Sequence, residues 1–84
     1  MIIKKNEDIE FERINDETVI LVFEDNSFYK LNKTASQIFE LINDKKNYED
    51  LINEFSRLNG ISKKEANSDI NEFIIDCKKK KIVR

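Results

Sequence analysis

At Asn32 the hydrophobic pattern of the chain changes its period. Upstream, Ile9-Glu10-Phe11-Glu12-Arg13-Ile14 alternates, and the run 18–23 is apolar and β-branched, as a central strand would be. Downstream, Ala35, Ile38, Phe39 and Ile42 recur at i, i+3, i+4 and i+7, one stripe of a helix. The switch falls inside the stretch FYKLNKTASQIFELI, residues 28–42, where only Asn32 separates the strand-formers from the helix. An asparagine side chain accepts a hydrogen bond from the first helical turn, so Asn32 both ends a strand and caps a helix. A chain built this way must deliver the last strand of a sheet directly onto a helical layer.

The remaining punctuation extends that reading. Asn15-Asp16-Glu17 and Asp25-Asn26-Ser27 supply turn residues between three strands, 9–14, 18–23 and 28–31, which predicts an antiparallel meander. Three helices follow. The first is expected over 33–43. The second, capped by Asn47 with Glu49 and Asp50 in its first turn, carries the stripe Tyr48, Leu51, Ile52, Phe55, Leu58 and stops at Gly60. The third opens on the capping box Ser62-Lys63-Lys64-Glu65, buries Ala66, Ile70, Phe73, Ile74 and Cys77, and ends among the lysines 78–81. The predicted class is α+β with a three-stranded antiparallel sheet followed by three helices, in the order βββααα.

With 84 residues and no proline-rich or glycine-rich linker, the chain is expected to form one domain, 1–84, burying roughly 60% of its unfolded surface. That allows one modest core and no deep catalytic cleft. Hydrophobic residues make up 39% and include six phenylalanines, enough to fold a chain that is 38% charged. The central strand is apolar on both faces, through Val19, Leu21 and Phe23 and through Ile20 and Val22. One face should meet the helices; the other needs a cover, which residues 1–3, a partner protein or a second copy would supply.

Charge and chemistry exclude several classes. The net charge is −2; residues 1–31 hold eight acids and four bases, residues 32–84 nine acids and eleven bases, so neither part is a basic arm for nucleic acid. No apolar run is long enough for a signal peptide or a membrane span, and the lone cysteine fits a reducing compartment, which predicts a soluble cytoplasmic protein with no membrane partner. There is no histidine, the commonest general base and metal ligand, and no glycine-rich loop for phosphate. Cys77 lies on the apolar stripe of the third helix and reads as an inert buried thiol. Glu65, Asp69, Glu72 and Asp76 form an acidic stripe beside it, read as a solvated flank or as the rim of a groove rather than a metal site. No catalytic residue, cofactor or metal is expected.

The junction Leu31-Asn32-Lys33-Thr34-Ala35, followed by Ile38-Phe39, resembles that of the PqqD-like family of small peptide chaperones, also called RiPP recognition elements. The resemblance extends over about residues 9–83, with an aspartate of the third helix matching Asp69. Lys33 stands where the family favours proline and Phe39 where it favours tryptophan. What the resemblance implies is a winged helix-turn-helix, non-enzymatic, that binds the leader segment of a ribosomally made precursor peptide as an added strand beside the third strand. The leader side chains would lodge against the third helix. The protein would then present the peptide to a radical SAM maturase, a lasso-type protease or a cyclodehydratase. The leader-binding residues expected on that basis are Phe28, Tyr29, Lys30, Leu31, Asp69, Ile70, Glu72, Phe73, Asp76 and Lys80. Which face of the third strand meets the leader stays open at this point. The alternative is a small winged-helix DNA-binding regulator, but the body of the third helix, 65–77, carries four acids and no base to offer to phosphate or to base edges.

Overall fold

A computed structural model describes residues 1–84. Its elements run β1 (Ile2–Lys4), β2 (Ile9–Ile14), β3 (Glu17–Val22), β4 (Ser27–Leu31), α1 (Lys33–Ile42), β5 (Lys45–Asn47), α2 (Tyr48–Asn59) and α3 (Lys63–Lys79). The predicted meander is present as the sheet β2-β3-β4, antiparallel throughout. Asn15, at φ +57°, turns the first hairpin in two residues, since Ile14 already faces Glu17. Asparagine is among the few residues that adopt this conformation readily.

The predicted order βββααα is incomplete. A second sheet pairs β1 with β5, with Ile3 opposite Lys46, and an isolated bridge joins Lys5 to Val83. Neither strand announces itself, because three residues are too few for a period and β5 reads Lys-Lys-Asn, poor strand-formers. Both form because the tertiary structure brings three segments together. Arg84 donates its N–H to the carbonyl of Lys4 at 2.7 Å, and Asn6 donates its backbone N–H to Ile82 at 3.0 Å. The buried side chain of Asn6 then completes the clasp: its amide donates to the carbonyl of Lys81 at 2.7 Å, and its oxygen accepts from the N–H of Asp8 at 3.0 Å.

The helical caps form at the predicted residues. Asn32 accepts from the N–H of Ala35 at 2.9 Å, Asn47 from that of Glu49 at 2.9 Å, and Ser62 from that of Glu65 at 3.1 Å. Only the serine half of the predicted capping box is made. Gly60 takes the left-handed conformation that ends α2, φ +61°.

One core of 17 buried apolar residues joins the sheet to the helices. The inner face of the sheet gives it Ile20, Val22 and Leu31, and the helical stripes give Ile38, Phe39, Ile42, Leu51, Phe55, Ile70 and Phe73. Ile3, Ile82 and Val83 join from the two ends of the chain. Each fully buried side chain of this kind stabilises by roughly 1.5–3 kcal/mol. At its periphery Phe11 stacks edge-on against Phe39, ring centroids 4.9 Å apart, while the half-buried Lys5 lies over both rings. Burial lowers the pKa of Lys5, against the pull of Asp44 and Glu40. Two hydroxyls lie inside this apolar layer. Thr18 donates to Ser36 Oγ at 2.8 Å, and Ser36 Oγ donates to the carbonyl of Leu31 at 3.2 Å, tying β3, β4 and α1 at one point. No helix is long and apolar enough to cross a membrane.

Ser36→Ala leaves the Thr18 hydroxyl without its partner inside the core, and should cost about 1–3 kcal/mol in urea unfolding. The double variant Thr18→Val/Ser36→Ala should cost less than the sum of the single variants; strict additivity would show that the hydroxyl pair does not couple the sheet to α1. Cys77 offers a second check. It is 1% exposed, and burial, aided by Asp76, pushes its thiol up to about 12. A thiol reagent should therefore leave the native protein untouched and react on unfolding. Because the pKa is raised in the folded state, this contribution to stability is intact below the unfolded value of about 8.5 and is lost as pH rises through that range and toward the folded value.

Candidate functional site

A cleft of about 770 Å³ opens where β4 passes into α1, facing α3. One wall is the junction itself, Asn32, Thr34, Ala35 and Ile38; the other is the exposed side of α3, from Ser68 to Lys79. Local sequence explains both walls. Asn32 turns the chain and starts α1 in a single residue, so the β4 edge and the first turn of α1 are held side by side. On α3, the residues that flank the core stripe are polar and remain in water, while Phe73 bridges the two, 6% exposed and lining the cleft.

The edge of β4 is the second component. β4 has β3 as its only neighbour in the sheet, so its other side carries backbone N–H and C=O groups with no strand partner. Tyr29 projects from the inner face of β4 and is half-buried against the core. Its ring lies under the ammonium of Lys80, 5.2 Å from the ring centroid. Lys80 also donates to Asp76 at 2.9 Å, and this bond holds its pKa above the ordinary lysine value. Tyr29, Asp76 and Lys80 thus close one end of the region between β4 and α3. Toward the other end, Asp69 and Glu72 line the cleft without forming any ion pair.

The expected binding residues do not all meet. Asp69, Glu72, Phe73 and Asp76 line the cleft, and Tyr29 with Lys80 flanks it. Leu31 and Ile70 lie below the surface, at 4% and 0% exposure, as part of the core that supports the walls. Phe28 and Lys30 point to the opposite face of the sheet, Phe28 68% exposed and Lys30 3.6 Å from Glu17. The strand period of two separates these from Tyr29 and Leu31, and the structure decides which pair faces the helices. Beyond the junction residues Asn32, Thr34, Ala35 and Ile38, reading the sequence missed Ser68, Asn71, Ile75 and Lys79 in the lining. Ile75 had a detectable signal: it is apolar, yet off the stripe of Ala66, Ile70, Phe73, Ile74 and Cys77, and it is 51% exposed. The polar ones had none, since a solvated helix flank and a cleft wall have the same composition.

The arrangement holds no nucleophile or base poised for chemistry. Cys77 is buried and protonated, and the cleft's titratable side chains are exposed carboxylates and a lysine. What it offers is an unpaired strand edge, an aromatic ring, and an acidic helix flank.

These features agree with comparison to known proteins. The family model described as coenzyme PQQ synthesis protein D (PqqD) matches residues 17–83. No curated protein sequence matches the chain. Among solved structures, the chain is similar to TbiB1, determined in complex with the TbiA(beta) leader peptide, with a TM-score of 0.86 at 18% identity over 96% of this chain and 94% of that one. At that identity the likeness is one of fold. The match over residues 17–83 takes in the β3-β4 hairpin, the junction at Asn32 and all three helices, and the chain therefore belongs to the PqqD family.

Proposed function

We propose that this protein is a non-catalytic peptide chaperone. It binds the leader segment of a ribosomally synthesised precursor peptide as a strand added to the open edge of β4, and presents that peptide to a modifying enzyme. The observation that carries the reading is the unpartnered edge of β4 lying beside a cleft whose far wall is α3. Membership of the PqqD family and the shared fold with a protein solved around a leader peptide support it. The enzyme served would be a radical SAM maturase, a lasso-type protease or a cyclodehydratase.

Magnitudes assign the roles. A leader strand of about five residues forms three or four backbone hydrogen bonds on β4, each worth roughly 0.5–1.5 kcal/mol net. Association and ordering cost about 4 kcal/mol or more, so the backbone alone barely breaks even. Two leader side chains buried at roughly 1.5–3 kcal/mol apiece bring the affinity to the micromolar range or better. In this proposal the backbone of β4 sets the register of the leader. Tyr29, Phe73 and the exposed Ile75 receive the apolar anchors; Asp69, Glu72, Asp76 and Lys80 form the charged rim; Leu31 and Ile70 hold the floor.

Titration of the leader peptide against labelled protein, with hydrogen exchange in parallel, tests the assignment. Leader should slow exchange at the Phe28 and Lys30 amides, which point away from β3, and leave β2, the other edge of the sheet, unprotected. Tyr29→Ala should weaken leader binding about tenfold or more while circular dichroism and the urea midpoint show a folded protein. Protection confined to β2, or full leader affinity in the folded Tyr29→Ala variant, would place the peptide elsewhere.

A further inference from the structure

The outer face of the sheet β2-β3-β4 is apolar and has no cover. Val19 and Leu21 run down its centre, Phe28 lies beside them on β4, and Ile14 extends the strip at one end. Phe28 is 68% exposed and Ile14 50%. The expectation that residues 1–3 would cover this face is not met, because β1 is paired with β5 and Ile3 is buried in the main core. A phenylalanine side chain carries about 150–250 Å². Phe28 alone therefore leaves on the order of 100 Å² of aromatic surface in water, contiguous with Leu21, Val19 and Ile14, and contiguous patches with a polar rim mark interaction sites.

The rim selects among occupants. Cross-strand register places the rows Glu10–Leu21–Phe28 and Glu12–Val19–Lys30 across the face, with Glu17 at its end. Three acids therefore stand against one base, and Lys30 is already 3.6 Å from Glu17. Glu10 and Glu12 have no cationic partner. A second copy laid on this face would oppose two acid-rich rims, which costs free energy rather than supplying it. It would also be too small. A face only three short strands wide offers less than the about 800 Å² of accessible surface that each partner gives to a standard interface. The occupant must be cationic at its rim, and it must find further surface beyond the sheet.

A leader strand on β4 would supply that surface. It becomes the fourth strand, and every second leader side chain then points to this same outer face. Resting on the proposed leader binding, we infer that the outer face, widened by the bound leader strand, is the docking surface for the modifying enzyme. The enzyme meets Ile14, Val19, Leu21 and Phe28 with an apolar patch and meets Glu10 and Glu12 with lysine or arginine. The enzyme thereby touches the chaperone and its cargo at once. By linkage, leader and enzyme each strengthen the binding of the other by the same factor.

Two variants away from the leader cleft test this: Leu21→Thr, which breaks the apolar strip, and the double substitution Glu10→Lys/Glu12→Lys, which inverts the rim on β2. The probes are the synthetic leader peptide and the purified modifying enzyme that processes it. Both variants should keep leader affinity within about twofold and lose about tenfold or more in affinity for the enzyme when leader is bound. For the double variant the loss should lie mainly in the association rate and fade at high salt. Wild-type protein should bind the enzyme more tightly with leader than without. Unchanged enzyme affinity in both variants would overturn the inference while leaving leader binding on β4 intact. So would loss of leader binding in the folded variants, which would make this face part of the leader site. A wild-type dimer by sedimentation that Leu21→Thr turns into a monomer would overturn it in favour of a second copy.

Discussion

The junction between β4 and α1 is held by a few polar bonds set into an apolar layer, and the rest of the architecture is built out from them. Asn32 caps α1 through Ala35; the N–H of Ser36 donates to the carbonyl of Asn32 at 2.8 Å; Ser36 Oγ reaches back to Leu31 and accepts from Thr18. Within five residues the chain stops pairing as a strand, starts a helix and ties both to the neighbouring strand. A buried hydroxyl without partners is costly, so the bonds at Thr18 and Ser36 reinforce one another. The junction fixes the angle at which α1 leaves the sheet, and with that the width of the space between β4 and α3.

The cleft follows from this geometry and from what the helices do not cover. α1 leaves from the end of β4 and fills the inner face of the sheet with Ile38, Phe39 and Ile42, leaving the outer edge of β4 free of any strand. α3 comes alongside, its core stripe turned toward α1 and α2 and its acidic flank toward the cleft. At its end, Ile82 and Val83 fold back against the N-terminal segment and are buried there. That clasp anchors the end of α3 where Lys80 meets Asp76 and Tyr29. A site for an extended peptide thus arises without a deep pocket, from an edge and a flank that 84 residues can spare.

The legibility of the parts in the sequence tracks how local their causes are. Asn32, Asn47, Ser62 and Gly60 act on the residues next to them, and each was readable with its role. The apolar stripes of the helices were equally readable, since a period of 3.6 repeats within one turn. β1 and β5 were not, because three residues cannot show a period and Lys45-Lys46-Asn47 becomes a strand only when Ile3 is laid opposite. The same holds for Ile82 and Val83: two apolar residues after a lysine run carry no pattern, and only their packing beside Lys5 and Asn6 makes them core. Within the candidate site, the sequence pointed to the flank of α3 that carries Asp69, Glu72, Phe73 and Asp76, the residues that line the cleft. It did not separate Tyr29 from Phe28 and Lys30, since a strand with mixed residues on both faces reads the same either way up.

The sequence by itself determined the elements whose signals are local: three strands by alternation and turns, three helices by stripe and cap, and the junction at Asn32. It also showed how few groups the chain could give to catalysis, with no histidine and a single cysteine. Only the tertiary structure decided which side of β4 faces the helices, that β1 is consumed by β5 rather than laid over the sheet, and that the outer face therefore stays bare. These outcomes turn on contacts between residues far apart in the chain, such as Ile3 with Lys46 and Lys5 with Val83. Their free energy is collected only once the core has closed, and no short window of sequence contains both partners.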